Sequence, residues 1–336
     1  PDALNGGEPS RFLAQMELEG HHQLQHKIVT PKIEILSPSP LQVTKTEKLL
    51  KSLETIAKAG FSPSSLGQYI RNPIDFYNQK ILGLKENNDL EEIIKPTTFG
   101  SVVHYTLEAF YKPFVGQRLD IEKLLELKPK IEPTVRQFFK ELYKKGDITR
   151  GKNLISFEIA KRYVSNFLAY ELACINKGDE IIIEAIESKM NVSLNVPELQ
   201  FPIRLIGTID RIDICNGTRR IIDYKTSQVS QSELELVHWK DITSDYKAYS
   251  KSFQIMTYAY MLNVEAVFTS PVEAGIISFK NLKSGLLKFA KKDKPGSYAQ
   301  KTTVLSSDLL VRYEYELKTL ILELFNPDID ITEKEV

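Results

Sequence analysis

The strongest constraint on the fold of this chain is a two-residue turn, Asn216-Gly217, between two runs of β-branched residues. The runs 203–215 and 219–225 have the composition of β-strands. Asn-Gly between such runs is the strongest short signal for a hairpin with a two-residue loop. In that hairpin Cys215 pairs with Thr218, and the pairing continues residue by residue along both strands. The sequence therefore predicts an antiparallel hairpin whose register is set by its turn.

That register brings three charged side chains to one face of the hairpin. Asp210 lies opposite Asp223, and Lys225 lies two residues further along the same face. Two carboxylates so close repel each other, so a proton or a metal ion has to offset their charge. Oxygen ligands of this kind suit Mg²⁺ or Mn²⁺, and a neighbouring lysine can stabilise negative charge in a transition state. The alternative is a surface hairpin whose acids pair with the nearby arginines, Arg211, Arg219 and Arg220.

Composition is that of an ordinary globular protein, with 42% apolar residues among 336. Lys+Arg and Asp+Glu both number 44, so net charge points to no particular partner. Only two cysteines are present, which excludes a disulfide scaffold and an iron–sulfur cluster held by the chain's own thiolates. No apolar run reaches the roughly 20 residues that span a bilayer. We therefore expect a cytoplasmic protein with no membrane partner.

The pattern along the chain predicts three regions. Residues 1–45 are poorly patterned and are expected to form a tail or interdomain strap. Residues 46–177 have helical periodicity and form a helical annex, and residues 178–336 form the catalytic core. Helices, an antiparallel meander, a helix and a further strand follow one another. This order predicts an α/β fold in which a mixed sheet with an antiparallel hairpin is flanked by helices.

Four motifs in this order resemble the PD-(D/E)XK nucleases, in particular the RecB-type exonuclease branch found in AddB-like and RecB-like helicase–nucleases. The match extends over about residues 61–280 and implies a restriction-endonuclease-like core. A leading helix with a Ser-x-Leu element also fits the branch. The motifs are Gly100-Ser101-Val102-Val103-His104, Gly207 to Asp213, Asp223-Tyr224-Lys225-Thr226, and Gln254 with Tyr258 on one helix.

The resemblance assigns a role to each of these positions. Asp210, Asp223, His104 and the backbone carbonyl of Tyr224 are implied metal ligands, and Lys225 the catalytic lysine together with the two aspartates. Gln254 and Tyr258, spaced i, i+4 on one helix face, either line the substrate cleft or support the site. Arg211 either contacts a substrate phosphate or buttresses Asp213. Two further acids stay open: Glu187 as an additional ligand and Glu108 as a partner of His104.

Two other comparisons concern what surrounds this core. Some relatives carry an iron–sulfur cluster, but the corresponding helix here reads Arg71-Asn72-Pro73, so no such cluster is expected. The segment from Glu8 to Leu13 is similar to the end of a UvrD-type helicase core. This similarity implies the C-terminal nuclease part of a longer helicase–nuclease, or a partner helicase subunit.

A lysine-rich stretch follows the last core strand. Seven lysines and one acid lie between Lys280 and Lys301, with Phe289 and Tyr298 among them. Such a stretch is either a track for a nucleic-acid backbone or a solvated loop. The candidate backbone contacts are Lys288, Lys291, Lys292 and Lys294.

Together these features favour a Mg²⁺-dependent DNA exonuclease domain, with Mn²⁺ as a substitute, that processes single-stranded or duplex ends in repair or recombination. One alternative is a catalytically silent DNA-binding or scaffold domain of a helicase complex. Another is a nuclease that acts on RNA. The sequence does not fix the digestion polarity, the exonuclease or endonuclease mode, the oligomeric state or the need for a partner subunit.

Overall fold

The computed structural model describes residues 10–21, 25, 27, 39–84, 93–143 and 147–334. The chain separates into two compact units, Pro1–Ser39 and Pro40–Val336. The described part of the first unit contains one helix, α1, Arg11–Glu19. The resemblance to a helicase end falls partly on Glu8 and Pro9, which lie outside the described residues. The helices from α2 onward and all the strands belong to the second unit.

Long helices make up most of the first half of this unit. A π-helical turn, Tyr77–Ile81, follows the short fourth helix. The expected helix through about Leu82 is divided at Asn72, since Pro73 lacks the N–H that would continue the hydrogen-bond ladder. The helices are α2 Glu47–Ala59, α3 Pro63–Arg71, α4 Pro73–Phe76, α5 Pro96–Tyr111, α6 Ile121–Leu127, α7 Ile131–Leu142, α8 Gly151–Asn176, α9 Asp241–Ser244, α10 Tyr246–Glu265 and α11 Ser307–Phe325.

The second half contributes a five-stranded mixed sheet in the order β2-β3-β4-β6-β7. Among the neighbouring strands of this sheet, only β4 and β6 are parallel, because the connection between them passes through α10. Two small sheets, β1-β10 and β5-β8-β9, lie outside it. The strands are β1 Gln42–Val43, β2 Ile181–Leu194, β3 Ile203–Cys215, β4 Thr218–Lys225, β5 Glu235–Leu236, β6 Val272–Ser278, β7 Leu286–Lys288, β8 Ala290–Lys292, β9 Lys301–Thr302 and β10 Ile331–Thr332.

The central sheet is covered by a hydrophobic core on each face. Adjacent residues of one strand enter different cores, as the alternation of a pleated strand requires. Ile221 belongs to the core formed with α2, α3, α10 and α11, whereas Ile222 belongs to the core formed with α5, α7 and α8. The molecule is therefore an α/β protein with the predicted mixed sheet between two helical layers. No helix in the described ranges is long and apolar enough to cross a membrane.

The hairpin of β3 and β4 has the predicted register. Cys215 pairs with Thr218, and the pairing continues to Arg211 and Ile222. Both turn residues have the positive φ that a type I′ turn requires, +51° at Asn216 and +80° at Gly217. The turn is further held from outside, since the Asn216 side chain accepts the backbone N–H of Glu180 at 2.8 Å. The turn thus sets which side chains meet at the far end of the hairpin.

Candidate active site

The candidate site lies where the pairing of β3 and β4 ends. Beyond the Arg211–Ile222 pair, the next residues are Asp210 and Asp223. A carboxylate oxygen of Asp210, Oδ2, accepts the backbone N–H of Tyr224 at 2.6 Å. This side chain therefore takes the place of a ladder hydrogen bond. The two strands are joined here through an acid rather than through their backbones.

Asp223 is buried and is contacted from two sides. Gln254 of α10 donates its amide to Oδ1 at 2.9 Å, and Lys225 Nζ lies 2.7 Å from Oδ2. Oδ2 makes no hydrogen bond of good geometry although it is fully buried. Burial raises the pKa of Asp223, the Lys225 cation opposes that rise, and the negative charge of Asp210 adds to it. Burial thus contributes more to the raised pKa than the like-charge repulsion that the sequence suggested.

His104 of α5 reaches the same place from the other helical layer. Its Nε2 lies 3.0 Å from the carbonyl oxygen of Tyr224, and its Nδ1 lies 3.5 Å from Asp210 Oδ2. Burial lowers the pKa of His104, whereas the hydrogen bond and the charge of Asp210 raise it. The second effect is larger, so the pKa of His104 is raised overall. If Nε2 carries the proton, Nδ1 directs a lone pair toward a carboxylate. A cation bound between the histidine nitrogen and the carboxylate would then stabilise both groups.

Glu187 of β2 completes a row of acids across three strands. The flanking pairs, Ile186 with Arg211 and Ser188 with Ile209, place Glu187 beside Asp210. Its backbone has φ +50°, a left-handed value that is unusual for glutamate within a strand. Burial, and then the charge of Asp210, raise the pKa of Glu187 to about 7. The sequence suggested Glu187 only as an additional ligand, and it is this residue that lies beside Asp210.

These groups fit a divalent cation. One ligand atom each from His104, Glu187 and Asp210 lies within 4.8 Å of the other two. Carboxylate oxygens are the donors that Mg²⁺ and Mn²⁺ prefer, whereas an imidazole nitrogen is more typical of Zn²⁺ or Fe²⁺. The buried Oδ2 of Asp223, which lacks a hydrogen-bond donor of good geometry, has lone-pair capacity left for a ligand. The donor set supports a metal site without specifying the ion.

Two residues of α10 hold the Asp223 side of the site. The amide of Gln254 donates to Asp223 and also contacts the hydroxyl of Tyr258, with Nε2 and Oη 3.2 Å apart. Burial raises the pKa of Tyr258, so its hydroxyl keeps its proton. The i, i+4 spacing of the pair thus serves to position the acid. Tyr258 also borders an open pocket with Gly207, which gives it access to a ligand.

Arg211 does not lie in the cleft, and its proposed contact with a substrate phosphate is wrong. Its side chain is 1% exposed and forms ion pairs with Asp213 at 2.7 Å and Glu171 at 2.6 Å. Arg220 also pairs with Asp213, at 2.7 Å, and Arg219 pairs with Glu184. Because Arg211, Arg219 and Arg220 are paired with other acids, they do not neutralise the two aspartates of the site.

The lysine-rich stretch is not an open basic track. Lys288 pairs with Glu273 at 2.7 Å, and Lys292 with Glu235 at 3.2 Å. Lys291 donates to backbone carbonyls, and burial lowers its pKa. Of the four candidate backbone contacts only Lys294 is exposed without such a partner among the residues described. Phe289 is buried, whereas Tyr298 is 95% exposed. Acids from distant strands pair with three of its seven lysines, Lys288, Lys292 and Lys301, which the local sequence could not reveal.

Comparison with known proteins places this geometry in a family. The model of the PD-(D/E)XK nuclease superfamily matches residues 60–335, and the chain belongs to that superfamily. An uncharacterized protein of Rickettsia felis is 29% identical over 178 residues, which cover 52% of this chain and 20% of that protein. One of Rickettsia bellii is 26% identical over 235 residues, covering 66% of this chain and 26% of its own.

The chain thus spans about a fifth to a quarter of the length of these curated relatives. A crystal structure of a candidate exonuclease from Eubacterium rectale covers 82% of this chain and 85% of its own. It superposes with a TM-score of 0.37 at 12% identity.

Proposed function

We propose that this domain is a Mg²⁺-dependent DNA exonuclease that processes DNA ends in repair or recombination, joined to or assembled with a helicase. The observation that carries the proposal is the convergence of His104, Glu187 and Asp210 within 4.8 Å, next to a buried Asp223 and its lysine. The motif order supports the RecB-type assignment. The greater length of the relatives supports a further domain in the whole protein.

The proposed ligands are His104, Glu187, Asp210, Asp223 and the carbonyl of Tyr224. A divalent cation held there would act as a Lewis acid on a phosphoryl oxygen and lower the pKa of water. Gln254 fixes the Asp223 carboxylate through Oδ1 and leaves Oδ2 toward the site. Asp210 is fixed in the same way by the backbone N–H of Tyr224. Both acids are therefore preorganised by groups that do not themselves react.

Lys225 supplies the positive charge of the proposed catalytic machinery. Burial lowers its pKa, but the neighbouring Asp223 raises it more, so the amine is protonated at neutral pH. An ammonium group at this position can stabilise the charge that builds up on the phosphate during hydrolysis. Its proposed contribution is to the transition state rather than to ion binding.

The test is digestion of end-labelled single-stranded DNA, duplex DNA and RNA with Mg²⁺ or Mn²⁺, and with EDTA. We expect metal-dependent cleavage of DNA from its ends, while a closed circle resists. Asp223→Asn should lower the rate by at least about a hundredfold and weaken metal binding. Lys225→Met should lower the rate similarly while metal binding, measured by calorimetry, persists.

Asp328→Asn serves as the matched control because it makes the same chemical change at an exposed position after α11. It should cleave as the unmodified protein does. Wild-type rates in the Asp223 variant would refute the site. Cleavage of RNA alone would refute the DNA assignment, and a folded protein that binds DNA without cleaving it would indicate the silent scaffold instead.

A further inference from the structure

A second cluster of charged residues lies in a pocket between α3 and the start of α10. The pocket has a volume of about 550 Å³ and contains four basic side chains, Arg71, Lys247, Lys251 and Lys334, with one acid, Asp245. The chain as a whole carries no net charge. A local excess of cations in a neutral protein is therefore a feature of this surface and not of composition.

Two of the four cations, Lys247 and Lys334, have no acid partner among the residues described. Arg71 pairs with Asp75 at 2.7 Å, but Lys334 Nζ donates to a backbone carbonyl, that of Ile70, at 3.2 Å. The nearest acid to Lys251 is Glu233, at the long distance of 3.9 Å. Lys247 is exposed and forms no ion pair within the described part of the chain. By contrast, Lys288 of β7 and Lys292 of β8 each form an ion pair with an acid.

These cations lie near the amino end of a long helix, whose dipole opposes their charge. Lys247 and Lys251 lie in the first two turns of α10, a 20-residue helix whose amino end carries a partial positive charge. The Asp245 carboxylate caps that end by accepting the N–H of Ala248 at 3.0 Å. Three lysines gathered at a positive helix end repel one another and the helix dipole. A bound polyanion would relieve that repulsion.

The pocket and the candidate site share one helix, because Tyr246 of the pocket is the first residue of α10. This residue lines the pocket and packs against α3 at Gly67. Gln254, which holds Asp223, lies eight residues further along α10. At 1.5 Å per residue that is about 12 Å, or about four nucleotides at 3.4 Å each.

We infer that this pocket binds the sugar–phosphate backbone of the substrate strand a few nucleotides from the phosphate that is cleaved. The inference rests on the proposed nuclease function and specifies where the strand runs. Lysines contact phosphates as point charges, so the recognition is independent of base sequence. Tyr246 offers a ring at the same surface on which a base can stack.

The test compares Lys247→Gln/Lys334→Gln with a matched control, Lys51→Gln/Lys140→Gln, which removes two exposed lysines from α2 and α7. Binding of a labelled 20-nucleotide DNA is measured without metal between about 50 and 200 mM KCl. The pocket variant should bind several-fold more weakly, and its slope against log[salt] should fall by about 2, or about 1 per lysine. The control should bind as the unmodified protein.

A small phosphodiester, bis(p-nitrophenyl) phosphate, is too short to reach the pocket. Its metal-dependent hydrolysis should be equal in all three proteins, whereas KM for the long DNA should rise in the pocket variant only. An unchanged salt slope with normal DNA cleavage would overturn the inference and leave the nuclease function intact. Equal losses on the small ester would show a structural effect and also overturn it. If the unmodified protein neither binds nor cleaves DNA, the proposed function fails and the inference with it.

Discussion

At the scale of single residues, Glu187 shows a conflict between backbone preference and position. A left-handed conformation costs a residue with a Cβ roughly 1–2 kcal/mol, and Glu187 adopts it inside a strand. Burial beside Asp210 adds an electrostatic cost, which is visible in its raised pKa. Strain of this kind persists where the surroundings impose it, commonly at functional sites. We interpret both costs as the consequence of turning a third carboxylate toward the site.

Replacing Glu187 with asparagine should therefore stabilise the protein while impairing the site. Asparagine tolerates the left-handed region, so the metal-free variant should gain up to about 1 kcal/mol in the free energy of unfolding. Metal affinity should fall at the same time. Chemical denaturation and calorimetry measure the two effects separately.

Glu187→Gln is the informative control, since it removes the charge but not the backbone strain. It should lose metal affinity as the asparagine variant does and gain less stability. Equal metal affinity in all three proteins would exclude Glu187 as a ligand.

Some residues of the site could be predicted from the local sequence, and others could not. Asp210, Asp223 and Lys225 followed from the hairpin register alone, because a two-residue turn permits one pairing. His104 lies 106 positions before Asp210 and came only from the family resemblance. The position of Glu187 depends on an irregular register between β2 and β3, with a shift between Ile183 and Ala185. A bulge changes which face a side chain takes, and no local pattern announced it.

At the scale of secondary structure, the β3–β4 turn determines the geometry of the site. Gly217→Ala should destabilise the protein by about 1–2 kcal/mol, because alanine resists the positive φ at this position. Gly100→Ala is the matched control: Gly100 lies within α5, where an added Cβ would make only an ordinary contact, at 3.6 Å. It should stabilise the protein by roughly 0.5–1 kcal/mol. Equal shifts in the unfolding midpoint for the two variants would contradict the turn assignment.

The helices and strands themselves could largely be predicted from the sequence, but the segments that they contact could not. The three long strands follow from β-branched runs, and α10 and α11 from helical periodicity. Strands β8 and β9 lie in the lysine-rich stretch, for which the sequence left a solvated loop as one alternative. They pair with each other and with the distant β5, whose Glu235 contacts Lys292 and Lys301. The basic pocket likewise draws its side chains from three separated segments. Such convergence is a tertiary property that charge counts along the chain do not show.

At the scale of the whole molecule, a buried ionic network joins α8 to the sheet. Arg211 lies between Glu171 of α8 and Asp213 of β3, with its guanidinium over the ring of Tyr111 at 5.0 Å. Tyr111 donates to Glu171 from α5. Two helices of one helical layer, α5 and α8, are thereby tied to the sheet. The neighbouring acids hold the pKa of Arg211 well above its ordinary value despite its burial.

Arg211→Met should destabilise the protein by about 3–5 kcal/mol, because it leaves Glu171 and Asp213 as buried charges that have lost this partner. Arg219→Met is the control, since the Arg219–Glu184 pair is partly exposed and should contribute no more than about 1 kcal/mol. Adding Glu171→Gln and Asp213→Asn to the first variant should restore part of the loss. Urea denaturation measures all of these, and a loss below about 1 kcal/mol for Arg211→Met would contradict the network.

The ionic network and the proposed metal ligands consist of different residues, and this has an evolutionary consequence. The acids that would perform the chemistry and the charges that join the layers are different residues on opposite faces of the same hairpin. A lineage can therefore lose Asp210 or Asp223 and keep the architecture, whereas a change at Arg211 requires compensating changes at its partners. Among descendants of this domain, the two groups should be inherited as independent units, with loss of activity arising repeatedly on an unchanged scaffold.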